Sequence, residues 1–139
     1  MHRTNKILNV RLTTAITALK WGEVIVVSDA GLPDMKDVEV LDLSITANNP
    51  EINDVIPAII DSLTIDRVLV ASEMEKVNKK KFDYVKSLFP EKLETMGNLE
   101  LEEELMSKAK LVVRTGDTSP YGNVVFVGGL DFFQLGMAD

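Results

Sequence analysis

Two short segments hold the residues best suited to chemistry. The first is Ser28-Asp29-Ala30-Gly31-Leu32-Pro33, which follows directly on the apolar run Val24-Ile25-Val26-Val27. In an open α/β sheet, ligands bind at the carboxyl ends of strands, so a carboxylate just past a buried strand is well placed to take a proton or hold a ligand. Asp29 is equally an ordinary cap or turn residue. The second segment is Arg114-Thr115-Gly116-Asp117-Thr118-Ser119-Pro120-Tyr121-Gly122-Asn123, between the apolar runs Leu111-Val112-Val113 and Val124-Val125-Phe126-Val127. It is long for a hairpin. Its Arg, Tyr, Asn and hydroxyls can hydrogen-bond a polyol from several directions. It can also be read as a well-capped turn, because Ser-Pro and Gly-Asn are turn formers.

Other chemistries are poorly supplied. The chain has no cysteine and one histidine, His2. That removes thiolate sites and nearly removes histidine-based zinc sites and triads. The glycines follow neither phosphate-loop nor dinucleotide spacing, and Gly128-Gly129 is too little to define such a site. These residue types leave little for a cysteine- or histidine-based metal site. A net charge of −7 argues against a nucleic-acid partner. The run Lys79-Lys80-Lys81 reads as a solvated helix face. The longest apolar runs are strand length, far short of the ~18 residues of a membrane span. The polar start and interrupted apolar positions give no signal-peptide core, so the expectation is a cytoplasmic protein without a membrane partner.

The elements that position these segments follow from periodicity. Leu8, Leu12, Ala15, Ile16 and Leu19 recur at helical spacing and predict a helix over 8–20. Val24–Val27 predicts a buried strand, and 38–43 a second. Asn49-Pro50 is expected to open a helix with Asn as cap, carrying Ile52, Val55, Ile56, Ile59, Ile60 and Leu63 inward. Pro57 should kink or split it. Residues 67–71 read as another strand, 78–89 as a helix stopped by Pro90, and 100–110 as an acidic helix with Leu101, Leu105 and Met106 inward. Residues 111–114 and 124–127 complete the strands. Alternating strands and helices predict an α/β class, a single-domain layered fold over residues 1–139 with a largely parallel central sheet flanked by helices. The stretch from Val124 to Phe133, followed by Gln134-Leu135-Gly136-Met137, is more apolar than one strand needs and suggests a partner surface.

Val26-Val27-Ser28-Asp29-Ala30-Gly31-Leu32-Pro33 resembles the first signature of the ribose pyranase and fucose mutarotase family. Val113-Arg114-Thr115-Gly116 with Ser119-Pro120-Tyr121-Gly122-Asn123 resembles its second. The likeness spans nearly the whole chain. It implies a cofactor-independent enzyme that interconverts ring or anomeric forms of a free monosaccharide. It also implies a ring-like homo-oligomer with sites near subunit boundaries. Asp29, Tyr121, the backbone at Gly122, and Asn123 match the family's sugar contacts. The chain departs from the family at two places. Trp21 stands where the family has a proton-transferring histidine, and Leu99 where it has a second one. Glu23 keeps an acidic residue that the family often has.

The resulting expectation is a mutarotase or pyranase with an altered acid–base set. Asp29 would be the base, with Glu23 or Tyr121 relaying a proton. Trp21, Leu99, Gly122 and Asn123 would complete the substrate contacts. Trp21 has two readings, a core aromatic or a ring stacked on the sugar beside the pocket. The alternative function is a non-catalytic monosaccharide-binding or sensing protein on the same scaffold, which the loss of both histidines would favour.

Overall fold

The structure, a computed structural model, describes residues 7–130. Its centre is one six-stranded sheet. In chain order the strands are β1 (Val24–Ser28), β2 (Val40–Asp42), β3 (Ile65–Ala71), β4 (Leu93–Met96), β5 (Leu111–Arg114) and β6 (Val124–Gly128). They lie side by side as β2-β5-β1-β6-β3-β4. Three of the pairings are parallel (β2 with β5, β5 with β1, β3 with β4), while β6 runs antiparallel to both β1 and β3. The sheet is thus mixed and mostly parallel, as the pattern predicts.

Helices cover both faces, which is why the central strands read as unbroken apolar runs. Along β1 the side chains alternate between faces. Ile25 and Val27 pack with α1 (Val10–Ala18), α2 (Ile52–Ile59) and α4 (Lys79–Leu88) through Leu12, Ile16, Ile56, Phe82 and Val85. Val24 and Val26 pack on the other face with Leu101 of α5 (Asn98–Glu104) and with Met106 and Leu32. A short helix α3 (Ser72–Val77) connects β3 to α4. Phe89 and Phe126 meet edge to face at 5.7 Å.

Several boundaries differ from expectation, for local reasons. Asn9 caps α1 by accepting the Leu12 N–H at 2.9 Å, so the helix starts at Val10. Asn49-Pro50 does not open α2. That helix begins at Ile52, where the Asp54 carboxylate accepts the Glu51 N–H at 2.8 Å and the Asp117 carboxylate accepts the Ile52 N–H. Pro57 stays inside α2, which ends two residues later and tightens into a 3₁₀ turn over Ile60–Ser62. The missing N–H of Pro57 removes one bond, to the Asn53 carbonyl, without splitting the helix. The acidic helix stops at Glu104, followed by a 3₁₀ turn over Met106–Lys108. The edge strand β4 and helix α3 carry little periodic apolar pattern, and the sequence reading missed both. The end of the apolar stretch suggested as a partner surface, from 131 onward, lies outside the described residues.

Candidate functional site

The order β5-β1-β6 decides where chemistry can occur. β5 and β6 are not neighbours, because β1 lies between them. The chain from 115 to 123 therefore crosses over the carboxyl end of β1, where Asp29 stands. That crossing explains why this connection is too long for a hairpin.

The crossing segment is pinned to β1 by hydrogen bonds. The Thr115 N–H and hydroxyl both donate to the Ser28 carbonyl, at 3.0 and 2.7 Å. The Ala30 N–H donates to the Asp117 carbonyl at 2.8 Å. The Asp29 N–H donates to Asn123 Oδ1 at 2.9 Å. In return the Gly122 N–H donates to Asp29 Oδ2 at 3.2 Å, and the Gly31 N–H to Oδ1 at 3.0 Å. The two segments singled out in the sequence thus meet through their functional groups.

Asp117 anchors this arrangement from beneath. It is 1% exposed. Its Oδ2 accepts from Lys81 Nζ at 2.7 Å and from the Ile52 N–H at 3.1 Å, and its Oδ1 accepts from the Ser119 N–H at 2.9 Å. Burial pushes its pKa up, but Lys81, Ser119 and the Ile52 N–H outweigh that and leave it below the ordinary value. Arg114 braces the loop next to the site. Its guanidinium donates to the Leu32 carbonyl at 2.9 Å and pairs with Asp34 at 2.6 Å, so it holds the 29–33 loop.

Above these anchors is a cleft of about 200 Å³ lined by Asp29, Gly31, Leu32, Pro33, Asn98, Glu102, Tyr121 and Asn123. Tyr121 has a left-handed backbone with φ 51° and is 38% exposed. Because Asn123 Oδ1 is already occupied, the amide offers a ligand its N–H donors. Asp29 feels burial first, which pushes its pKa up. The N–H groups of Gly122, Gly31 and Leu32 pull it down, nearby Asp117 pushes it up, and the net value is raised. A raised carboxylate is a stronger base, better matched to proton transfer near neutrality. The cleft therefore offers acceptors, amide donors and a phenol in one place, as a polyol requires.

The structure does not bring all the expected site residues together. Trp21 and Glu23 precede β1, whereas Asp29 follows it. Six residues of extended chain separate Glu23 from Asp29, about 20 Å at ~3.3 Å per residue. Within one chain, Glu23 cannot relay a proton to Asp29. Instead its carboxylate accepts the Lys20 N–H at 2.8 Å and pairs with Lys110 at 3.2 Å, and those contacts hold its pKa below the usual range. Trp21 is at the expected helix-to-strand junction, but that junction is at the far end of the sheet from the cleft. It is 69% exposed, so it is not a core residue. Leu99 lies on α5 and is 68% exposed. Sequence reasoning missed Asn98 and Glu102, which reach the same cleft from α5. Among the described residues, no group of three or more His, Cys, Asp or Glu side chains could hold a metal ion. No helix there is long and apolar enough to cross a membrane.

A mixed α/β sheet with a polar cleft at the carboxyl end of a central strand is an arrangement in which α/β proteins commonly bind ligands. Comparison narrows this further. Residues 2–131 match the RbsD / FucU transport protein family, and the chain belongs to that family. It is 31% identical over 131 residues to D-ribose pyranase of Clostridium perfringens strain SM101, covering 94% of this chain and 99% of that one. The structure of Bacillus subtilis RbsD complexed with D-ribose is similar, with a TM-score of 0.86, 30% identity, and coverage of 91% and 96%. The fucose mutarotase of Streptococcus pneumoniae in complex with L-fucose shares the fold, with a TM-score of 0.65, 16% identity, and coverage of 89% and 94%.

Proposed function

We propose that this protein is a cofactor-independent sugar isomerase that interconverts ring or anomeric forms of a free monosaccharide. One observation carries the reading. The crossing segment 115–123 delivers Tyr121, Gly122 and Asn123 onto Asp29, in a chain similar over nine-tenths of its length to a protein that holds D-ribose. Relatives named D-ribose pyranase support catalysis over simple sensing.

In ring opening, Asp29 takes the proton of the anomeric hydroxyl. The electrons of that O–H bond form the carbonyl as the bond from the anomeric carbon to the ring oxygen breaks. An acid then protonates the former ring oxygen. Closure by the same or another hydroxyl reverses these transfers. The Tyr121 phenol and the Asn123 amide hold the sugar hydroxyls during both. General acid–base help is typically worth about 10²–10⁴-fold, enough for a reaction with a low intrinsic barrier.

The cleft is open on one side, and the other expected residues, Trp21 and Glu23, are at the opposite end of β1. A homo-oligomer whose subunit boundary brings that end of one copy to the cleft of the next accommodates both facts. The test is saturation-transfer NMR on free aldoses, starting with D-ribose and L-fucose. Exchange between ring forms faster than in buffer is the expected result. Binding without added exchange for every sugar bound would instead support the sensing alternative.

A further inference from the structure

We propose that Glu102 is the catalytic acid facing Asp29 across the cleft. The assignment deepens the ring-interconversion reading and rests on it. Ring opening needs two proton-transfer groups on one substrate, and Asp29 supplies only one. With His2 the chain's single histidine, no imidazole within the described residues can be the other.

Four glutamates crowd the stretch of α5, at 100, 102, 103 and 104. Three are exposed and point into solvent. Glu102 alone is half-buried, and it alone lines the cleft with Asp29, Tyr121 and Asn123. Its direction is also prepared. Asn98 Nδ2 donates to Glu102 Oε1 at 3.3 Å, one helical turn apart. Asn98 is fixed in turn, because its own N–H donates to the Glu73 carboxylate at 3.0 Å. A chain of contacts from α3 through the start of α5 thus aims one carboxyl group at the cleft. Glu73 needs no such explanation, since it caps α5 and lies outside the cleft lining.

The two carboxyl groups then divide the work. Asp29 is the base, its two oxygens oriented by the N–H groups of Gly31 and Gly122. In this cycle Glu102 carries the proton that the ring oxygen receives. Asp29 removes the anomeric hydroxyl proton, the bond to the ring oxygen breaks, and Glu102 gives its proton to that oxygen. Asp29 ends protonated and Glu102 ionised. On closure the attacking hydroxyl returns its proton to Glu102, and Asp29 returns its proton to the carbonyl oxygen. No other reactant is needed. Two carboxyl groups facing one substrate can divide the acid and base steps between them.

The test compares wild type with Glu102→Gln, Glu102→Asp and Glu103→Gln by NMR exchange and saturation transfer on D-ribose. Glu102→Gln keeps the oxygen that accepts from Asn98 and loses only the proton. The exchange rate should fall about 100-fold or more while ribose binding stays within threefold. Glu102→Asp retains an acid on a shorter arm and should fall between the two. The exposed control Glu103→Gln should match wild type. Circular dichroism checks that each variant is folded. If wild type accelerates exchange and Glu102→Gln matches it, the assignment of Glu102 is wrong while the ring-interconversion reading stands. If Glu102→Gln loses binding and rate equally, Glu102 is a contact and not the acid. A wild type that accelerates exchange of no aldose overturns both readings together.

Discussion

Lys81 and Asp117 form a buried ion pair, with 2.7 Å between Nζ and Oδ2. Lys81 was expected on a solvated helix face, yet α4 turns it inward while Lys79 and Lys80 stay exposed. Its ammonium also donates to Asn53 Oδ1 at 2.5 Å. Removing one partner of such a pair leaves an uncompensated buried charge, which typically costs about 3–5 kcal/mol. Lys81→Met should therefore lower unfolding free energy by about 3 kcal/mol in urea titration. Lys80→Met, on the surface beside it, should change it by less than about 0.5 kcal/mol. Equal effects from the two variants would show that the pair does not hold the crossing segment.

The two aspartates of the site should respond to pH with opposite signs. The pKa of Asp117 is lowered in the folded chain. The stability it contributes is present above its unfolded pKa of about 3.9 and is lost as pH falls through the folded value. The pKa of Asp29 is raised. The stability it contributes is complete below about 3.9 and is lost as pH rises through its folded value. Relative to Asp117→Asn, wild type should thus gain stability as pH climbs through the acid range to about 4. Relative to Asp29→Asn, it should lose stability as pH rises from about 4. Urea midpoints across pH 2 to 7 give both differences, and slopes of the same sign would contradict the two environments described.

Asp29 should matter far more to activity than to stability. Asp29→Asn keeps one oxygen for the backbone N–H groups of Gly31 and Gly122 and removes the base. Ring exchange should drop by about 100-fold or more. The loss of a carboxylate acceptor is offset by relief of a buried charge, so the melting temperature should move little. A fall of about 0.5–2 kcal/mol with undiminished exchange would mark Asp29 as a turn residue only.

These predictions rest on residues that differed in how visible they were in the sequence. Asp29 and the 114–123 segment were legible because each abuts a run of β-branched residues that is buried on both faces. The strand order β5-β1-β6, which brings the two together, was not legible, because pairing between non-consecutive strands leaves no local periodicity. Lys81 and Glu102 were hidden for a related reason. Each sits in a run of like charges, and only the helix's orientation against the rest of the fold selects the one that faces inward. Trp21 was placed at the right junction, but within its own chain that junction is at the far end of β1 from the cleft. Sequence spacing along a strand says nothing about which end of the sheet binds a ligand.

Trp21 tests how the two ends of β1 are used. In its own chain the indole is 69% exposed and stands before β1, whereas Asp29 follows that strand, so it is too far to sense a ligand there. An exposed tryptophan at a strand end is an apolar surface that a partner can cover. It is the chain's only tryptophan, so its emission has a single source. If copies assemble as proposed, light scattering should give a multiple of 15.4 kDa, with emission shifted to shorter wavelength and protected from acrylamide. Dilution below the assembly threshold should reverse both together. Trp21→Ala should weaken assembly while changing the unfolding free energy of the dissociated chain by less than about 0.5 kcal/mol. A change in emission on adding D-ribose would have to come from a second copy's cleft, because the chain's own lies at the other end of the strand. A monomer mass at micromolar concentration, with freely quenched emission that ribose leaves unchanged, would refute the shared site and leave the cleft of Asp29 and Tyr121 to act alone.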